Sequence, residues 1–476
     1  MKRIYFLLAL NLLGRFTIAQ TPKNTDFREA FVVIDRWLSA QKDFDRLPGI
    51  AVSIVRDQQV IWSKGYGYAN VEKKLPMEPE TICSICSISK LFTSIAVMQL
   101  VEQGKIHLDD SISADLPSFN LKQQYPESGP ITIRSLLSHS SGLPRESEYP
   151  YWSAPDFNFP TEKQVTDKLG SQQTLYPAST YFQYSNLGMS ILGELVEHVS
   201  GKPYEQYVQE NILQPLQLSD TRPFLPENLW GDKMAFGYGG IHRDGHRDKM
   251  PLFQAKGIAP AAGYSSSASD LSKFASWQFR LLAKGGTEVI KASTLRDMQR
   301  VQFLDPDWKT AYGLGFAVRD FNDNTLVGHG GSCPGYLTLL TMDTKEKLGI
   351  IVMLNGQGEN PNKYAEAIYK ILKLASQLDL TSANGTDLEQ YSGNYDSYAF
   401  GNETIVFKWK GKLGAITARG ADPAANFTFY KHISGDVFRR VRKDDTLGEE
   451  LRFEKDQQGK VIRMWNHSNY YNKLPG

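Results

Sequence analysis

Hydrophobic residues recur at helical spacing in five segments of the chain and form strand-like runs in the others. The predicted helices cover residues 27–47, 87–103, 186–198, 269–282 and 363–378. The predicted strands are a hairpin over 49–70 and the runs 311–318, 325–327, 336–342 and 348–354. Since outer strands and helices enclose a mainly helical middle, the pattern predicts a sheet-based α/β domain with an all-helical insertion.

The segment 387–476 follows a different pattern, in which large apolar residues stand at every second position. Ile405, Phe407 and Trp409 give the clearest example, and this is the period of a strand with one buried face. Glycines mark turns between such runs, and residues 381–386 before them have the composition of a linker. The sequence therefore predicts a separate C-terminal all-β domain, a small barrel or sandwich.

The first residues have the pattern of a secretory signal. Lys2 and Arg3 precede an apolar run over 4–13, and the small residues Thr17 and Ala19 stand at positions −3 and −1 of a cleavage site. This order predicts a signal peptide over 1–19 that is cleaved after Ala19. No second apolar run approaches the roughly 20 residues that a spanning helix needs. We therefore expect an exported protein, periplasmic or secreted, with no membrane span in the mature chain.

Composition and charge exclude nucleic acid as a partner. The 476 residues include 41% hydrophobic and 22% charged residues, which is the usage of globular domains. Lys and Arg number 53 against 52 Asp and Glu, so the chain lacks the basic excess that nucleic-acid binding requires.

Cysteine and histidine patterns indicate neither a metal site nor a disulfide scaffold. Cys83 and Cys86 lie in a small, apolar run and are interpreted as buried side chains, and Cys333 is left over. His242 and His246 are four residues apart in a polar stretch, which is typical of a solvated loop. No metalloprotease, phosphate-binding or dinucleotide-binding motif occurs, so the sequence predicts no metal and no cofactor.

Three short motifs bring together residue types suited to acyl transfer. Ser87 and Lys90 are three apart at the start of a predicted helix, so their side chains share one face. A serine hydroxyl needs such a neighbouring base to become a nucleophile. Tyr184 and Asn186 open another predicted helix, and His329 begins a His-Gly-Gly triplet near the end of a predicted strand. Each motif alone also fits a structural interpretation as an N-cap, a core tyrosine or a turn.

In this order, S-x-x-K, Y-x-N and a K/H-x-G triplet resemble the motifs of the serine β-lactamase and penicillin-binding-protein superfamily. The flanks are similar to its class C branch of β-lactamases, D-Ala-D-Ala carboxypeptidases, D-aminopeptidases and esterases. The matching stretches are SISKLFTS, ITIRSLLSHSSGLP, YFQYSNLGMSILGELVEHVSGKPY, AAGYSSSASDLSKF and GHGGSCPGY. The resemblance implies a catalytic domain over 20–380, with an antiparallel sheet flanked by helices and an all-helical subdomain. The tail is similar to the lipocalin-like domains of some members.

Carried onto the matching positions, the resemblance implies a role for each residue. Ser87 would be the nucleophile that forms an acyl-enzyme, and Lys90 and Tyr184 would share the proton transfers, with either as the base. Asn186 would orient Lys90 and the substrate amide. The oxyanion hole would consist of the backbone N–H groups of Ser87 and Ser332. The resemblance implies no metal and no organic cofactor.

One position departs from the β-lactamase pattern and bears on the substrate. Where those enzymes have a Lys, this chain has His329, which is largely neutral near pH 7. Gly330 and Gly331 follow it, and the resemblance places this triplet on the substrate-binding side of the site. The sequence therefore favours a hydrolase whose partner is a small-molecule or peptide substrate, with D-amino-acid peptides or cell-wall fragments first. The alternatives are a β-lactamase or small-ester hydrolase and a catalytically silent ligand-binding protein. His139 is interpreted as structural.

Overall fold

The computed structural model describes residues 26–377 and 387–475. The predicted signal peptide (1–19) and linker (381–386) lie outside these residues. The helices of the described ranges are α1 (Arg28–Phe44), α2 (Ser89–Glu102), α3 (Ile112–Asp115), α4 (Ile133–Leu137), α5 (Glu162–Leu169), α6 (Asn186–Ser200), α7 (Tyr204–Val208), α8 (Ala259–Ala262), α9 (Ala268–Lys284), α10 (Ala292–Met298) and α11 (Pro361–Gln377). None of these helices is both long and apolar enough to cross a bilayer.

An antiparallel sheet forms the centre of residues 26–377. The strands of this part are β1 (Gly49–Arg56), β2 (Gln59–Asn70), β3 (Leu75–Pro76), β4 (Cys83–Cys86), β5 (Tyr264–Ser266), β6 (Thr287–Glu288), β7 (Ile290–Lys291), β8 (Phe303–Leu304), β9 (Ala311–Tyr312), β10 (Ala317–Phe321), β11 (Asn324–Cys333), β12 (Tyr336–Asp343) and β13 (Leu348–Leu354). Nine of these described strands form one sheet in the order β3-β2-β1-β13-β12-β11-β10-β9-β8. β4 and β5 pair separately. The predicted α/β class is confirmed.

The central strands are covered by helices on both faces. On β1, Ile50, Val52 and Ile54 pack in one apolar cluster with residues of α1 and α11. Ala51 and Val55 point the other way, into a second cluster with residues of α2 and α9. Because successive side chains of a strand point to opposite faces, burial on both sides gives this segment its continuous apolar run.

Helix α2 lies wholly inside the second cluster. Every residue from Ser89 to Leu100 is buried, and α6 and α8 pack against the helix. The sequence predicts one apolar side, but the polar residues on the other sides are buried as well. A helix without a solvated face lacks the amphipathic pattern of a surface helix, and its polar side chains need partners within the fold.

The run 311–318 is two strands, where the sequence predicts one. A turn between β9 and β10 separates them, and Gly315 in this turn has a φ of 80°. Its N–H donates to the Leu137 carbonyl oxygen (2.9 Å), and a Cβ at this position would collide with Ser94 Oγ of α2. The turn therefore follows from close packing against the buried helix, which overrides the local strand pattern.

Residues 387–475 form an eight-stranded antiparallel sheet in which the strands pair in chain order. They are β14 (Gly393–Ser397), β15 (Asn402–Trp409), β16 (Lys412–Thr417), β17 (Thr428–Ser434), β18 (Val437–Val441), β19 (Leu447–Lys455), β20 (Val461–Asn466) and β21 (Asn469–Asn472). Tyr395 of β14 bridges to Lys473, just after β21, so the sheet nearly closes on itself. Val406, Leu413 and Phe438 belong to its interior cluster. The predicted all-β domain is thus a nearly closed barrel, which fits a lipocalin-like domain.

The alternating residues of β15 face the rest of the protein and not the barrel interior. Ile405, Phe407 and Trp409 belong to the same apolar cluster as residues of α1 and α11. The indole N–H of Trp37 in α1 also donates to the Gly420 carbonyl oxygen of the barrel (3.0 Å). An apolar contact reinforced by a side-chain hydrogen bond therefore joins the barrel to the sheet domain.

We expect Phe407→Ala to lower the free energy of unfolding by about 3–5 kcal/mol, since it removes a buried aromatic ring from this contact. Urea unfolding followed by tryptophan fluorescence measures the change. Phe400→Ala is the control, because Phe400 is 83% exposed, and it should change the free energy by no more than about 0.5 kcal/mol. Equal losses in the two variants would contradict the packing described.

Candidate active site

Ser87 is the one residue between Thr81 and Leu100 that is not buried. It lies in the turn that connects β4 with α2. Cys86, just before it, has a φ of 49°, in the left-handed region that residues other than glycine rarely adopt. Such a conformation costs free energy and persists only where surrounding contacts enforce it. The turn leaves the Ser87 hydroxyl partly exposed beside the N-terminus of α2.

Lys90, three residues further on, is fully buried. Its Nζ donates to Asn186 Oδ1 (2.8 Å) and to the Ala261 carbonyl oxygen (2.8 Å), and lies 3.3 Å from Ser87 Oγ. Burial lowers the pKa of Lys90 well below its usual range, because the charged ammonium loses its hydration. In the neutral amine, two N–H groups serve the two carbonyl oxygens and the lone pair is left for the Ser87 hydroxyl.

Two charged neighbours act on the pKa of Lys90 in opposite directions. The carboxylate of Glu146 raises it and the guanidinium of Arg145 lowers it, both less strongly than burial. Glu146 accepts hydrogen bonds from Asn186 Nδ2 (2.8 and 3.0 Å). Arg145 lies 4.9 Å from the centroid of the Tyr184 ring. The sequence analysis missed both residues, because only a contact across 40 residues of chain brings Glu146 to the site.

Tyr184 completes the surroundings of Ser87. Its hydroxyl is hydrogen-bonded to the Ser87 side chain, and burial raises its pKa, so the phenol is protonated at neutral pH. Lys90 Nζ lies 4.6 Å from the ring centroid. His139 accepts a hydrogen bond from the Ser185 N–H (3.2 Å), and its ring centroid is 4.4 Å from that of Tyr184. These contacts are consistent with the structural interpretation of His139.

Strand β11 brings the His-Gly-Gly triplet beside this turn. The sequence predicts a strand that ends at residue 327, but β11 continues to Cys333 and pairs with β12 throughout. A Cβ on Gly331 would collide with the Ile85 carbonyl oxygen and with Thr338 Oγ1. β11 therefore packs directly on β4 at this glycine, and Ser332, the next residue, is exposed.

His329 is buried next to Tyr184. Its Nε2 lies 2.5 Å from the Tyr312 hydroxyl, and its ring centroid is 6.2 Å from that of Tyr184. Burial lowers the pKa of His329 to about 3, and the charge of Lys90 acts in the same direction. The imidazole is therefore neutral at physiological pH and offers no cation to a substrate.

A disulfide connects the two sides of the site. Cys86, directly before Ser87, is bonded to Cys333, directly after Ser332. The interpretation of Cys83 and Cys86 as buried side chains is confirmed. Cys333, which the sequence analysis left over, is the disulfide partner of Cys86, and within the described residues Cys83 is the free, buried thiol. The two half-cystines are 247 residues apart, so no local pattern could reveal the pair.

A second group of polar residues lies in an exposed loop and has side chains of the types that coordinate metal ions. The rings of His242 and His246 stack with centroids 4.2 Å apart, and both approach Asp248. In the described part of the chain these three side chains bring ligand atoms within 4.8 Å of one another. They belong to the loop around Gly245 and not to the elements that carry Ser87.

The fold and the site together define a class of protein, in which a buried helix that follows the serine of S-x-x-K lies on one face of an antiparallel sheet. The Beta-lactamase family model matches residues 34–375, more than half of the chain. This chain therefore belongs to the β-lactamase family, whose fold is that of a group of serine hydrolases.

Similar proteins of known structure or sequence extend this comparison. Protein flp of Staphylococcus aureus is 27% identical over 322 residues, which are 67% of this chain and 62% of the length of that relative. An octameric penicillin-binding protein homologue from Pyrococcus abyssi has a TM-score of 0.65 at 25% identity, over 93% of this chain and 100% of its own. The D-amino acid amidase from Ochrobactrum anthropi SV3 has a TM-score of 0.59 at 22% identity, over 72% of this chain and 100% of its own, and shares the fold.

The two neighbouring glycines of β11 are expected to respond differently to a methyl group. Gly331→Ala should lower the free energy of unfolding by about 1–3 kcal/mol, because it forces β11 away from β4. Gly330→Ala is the matched control, since its Cβ would have no neighbour closer than 3.7 Å. Thermal and urea unfolding of both variants measures the difference. A Gly331→Ala protein as stable as Gly330→Ala would contradict the close contact of the strands.

Proposed function

We propose that this protein is an exported serine hydrolase that cleaves small amides or esters through an acyl-enzyme on Ser87. The observation that carries the proposal is the contact between Ser87 and the buried Lys90. The distance between Ser87 Oγ and Lys90 Nζ is 3.3 Å. Burial favours the neutral amine, which accepts a proton from the hydroxyl and so activates the nucleophile. A site that only binds a ligand does not require such a base.

In the proposed reaction, Ser87 Oγ attacks the carbonyl carbon of the substrate while its proton passes to Lys90 Nζ. The oxyanion accepts hydrogen bonds from the backbone N–H groups of Ser87 and Ser332. Tyr184 donates its proton to the leaving amine or alkoxide as the C–N or C–O bond breaks, and it regains a proton from Lys90. Water then attacks the acyl-enzyme, and the protons return by the same route.

The contacts of Asn186 support an orienting role. Its Oδ1 accepts a hydrogen bond from Lys90, and its Nδ2 donates to Glu146. Both ends of the amide are therefore held, which fixes the direction of the Lys90 amine toward Ser87. Because both ends of the Asn186 amide are already hydrogen-bonded, we propose that substrate binding depends mainly on the triplet that starts at His329 and includes Gly331.

We propose D-amino-acid peptides or cell-wall fragments as the first substrate class and β-lactams as the second. A buried, neutral His329 supplies no permanent cation for a substrate carboxylate, whereas a Lys at this position would. A protein of the same fold is named a D-amino acid amidase, and this name agrees with the proposed substrate class.

Export and domain division are part of the same proposal. The mature chain would begin after Ala19 and consist of a catalytic domain over 20–380, a linker over 381–386 and the barrel domain over 387–476. The Cys86–Cys333 disulfide supports export, because disulfides persist in the periplasm or outside the cell and are rare in the cytosol.

We expect Ser87→Ala to abolish turnover while the protein stays folded, because it deletes one partly exposed hydroxyl. Wild-type protein treated with a fluorophosphonate or, separately, with benzylpenicillin should gain one adduct, which intact-mass spectrometry detects. Ser113→Ala, which alters an exposed serine of α3, is the matched control and should be labelled like the wild type.

The substrate class is to be determined by comparing the turnover rates of D-Ala-D-Ala peptides, D-aminoacyl anilides, nitrocefin and short-chain nitrophenyl esters. A lasting penicilloyl adduct on Ser87 favours a peptidase, and rapid loss of the adduct favours a β-lactamase. If Ser87→Ala turned over the best substrate as fast as the wild type, the proposal would fail. The absence of any adduct on the wild type would favour the ligand-binding alternative.

The pH dependence of kcat/KM should shift in opposite directions when the two charges beside Lys90 are removed. Activity rises with pH as Lys90 loses its proton, so a lower pKa moves this rising limb to lower pH. Glu146→Gln removes a charge that raises the pKa of Lys90, and we expect the limb to move down. Arg145→Gln removes a charge that lowers this pKa, and we expect the limb to move up.

The control for both variants is Glu148→Gln, which removes an exposed carboxylate from the same segment. Its pH profile of nitrophenyl ester hydrolysis should match that of the wild type. Shifts of the same sign in Glu146→Gln and Arg145→Gln would show that Lys90 is not the group that titrates in the rising limb.

A further inference from the structure

We infer that the Cys86–Cys333 disulfide is a positioning element of the oxyanion hole, which holds the backbone N–H groups of Ser87 and Ser332 at a fixed separation during acyl transfer. The inference rests on the proposed function, because these two N–H groups meet an oxyanion only if Ser87 is acylated.

The first argument is the place of the disulfide in the chain. Cys86 and Ser87 are consecutive, and so are Ser332 and Cys333. The two half-cystines therefore flank the two expected donors, and their Cα atoms are 5.8 Å apart. A covalent bridge at this position ties the nucleophile turn to strand β11 at the point where both donors lie.

The second argument is that β11 lacks a strand partner on one side of the triplet. β10 pairs with β11 only as far as Gly328, opposite Ala317. Among the described strands, residues 329–333 are then paired with β12 alone, while β4 packs against the face of β11 at Gly331. The disulfide fastens this half-paired part of β11 to β4 directly after Ser332.

The third argument is the backbone of Cys86 itself. Its φ of 49° is unfavourable for a residue with a side chain, and the pairing of β4 with β5 changes register between Ser84 and Cys86. Cys86 pairs with Tyr264 only after this irregularity, at the last residue of β4. The covalent bond restrains the left-handed conformation that directs the next peptide N–H, that of Ser87.

Other contacts hold each of the two segments in place without the disulfide. Thr338 Oγ1 donates to the Ile85 carbonyl oxygen (3.1 Å). Gln357 Nε2 donates to the carbonyl oxygens of Cys333 (2.6 Å) and Tyr336 (3.0 Å). Since these hydrogen bonds remain, we expect loss of the disulfide to loosen the two donors without unfolding the domain. The effect should then appear in the chemical step.

The experiment compares the double variant Cys86→Ala/Cys333→Ala with Cys83→Ala. Cys83 is a matched control, since it is buried on the same strand, β4, and carries no disulfide. With a nitrophenyl ester, the double variant should lose kcat by about 10- to 100-fold, less than the 10²- to 10³-fold typical of deleting one donor. KM should stay within about threefold. The affinity for phenylboronic acid, which forms a tetrahedral adduct on serine, should fall with kcat, whereas Cys83→Ala should match the wild type.

A second measurement uses the wild-type protein, in case the double variant does not fold. Dithiothreitol gives two electrons and two protons to the disulfide, which becomes two thiols, and is itself oxidised to a cyclic disulfide. Alkylation and mass analysis of a quenched sample give the reduced fraction. We expect kcat to fall in proportion to this fraction and to return when oxidised glutathione restores the disulfide.

A kcat within twofold of the wild type after loss of the disulfide, by mutation or by reduction, overturns the inference even if thermal stability falls. So does a mass that shows Cys86 and Cys333 as thiols in untreated protein. Failure of the proposed function looks different, because wild type and Cys83→Ala would then show neither acylation nor turnover. That result overturns both.

Discussion

The burial of Lys90 is the constraint on which the rest of the site depends. An amine inside a helix with no solvated face must find its partners within the protein. The Asn186 side chain and the Ala261 carbonyl oxygen supply them, and Glu146 compensates part of the lost hydration through Asn186. Because desolvation still dominates, the neutral amine is favoured, and the Ser87 hydroxyl is its third hydrogen-bonding neighbour. The elements that bury Lys90 therefore also favour the neutral amine that its proposed role as a base requires.

Burial shifts the pKa values of the two proposed proton-transfer groups, Lys90 and Tyr184, in opposite directions. Desolvation disfavours whichever form of a group is charged, so it lowers the pKa of Lys90 and raises that of Tyr184. Both shifts favour the uncharged form, which is an amine able to accept a proton in Lys90 and a phenol able to donate one in Tyr184. Such a separation of pKa values by environment supports the proposed roles of Lys90 as the base and Tyr184 as the acid, which the motif S-x-x-K with Y-x-N leaves open. The neutral His329 belongs to the same desolvated region.

Local patterns predicted the elements and the main side chains of the site, and long-range contacts account for what they missed. The start of α6 at Asn186 and both ends of β13 are as predicted, because an N-cap serine and a continuous apolar run are local signals. The division of 311–318 at Gly315 follows from contact with α2. The extension of β11 depends on pairing with β12 and on the fit of Gly331 against β4. Glu146 and the Cys86–Cys333 pair join segments far apart in the chain, so no spacing rule reaches them.

The barrel packs on the face of the central sheet that lies opposite to α2 and the site. Phe407 of the barrel shares its apolar cluster with Val52 and Val352, which point away from α2, whereas Ala51 and Met353 on the same two strands point toward it. A structural change at the barrel contact would therefore have to be transmitted through the central sheet in order to affect Lys90. The nucleophile turn is fixed on the other side by its own bonds, the disulfide and the packing of Gly331 on β4. The barrel thus contributes to the stability of the sheet that carries the site, while the geometry of the candidate active site is set by β4, α2 and β11.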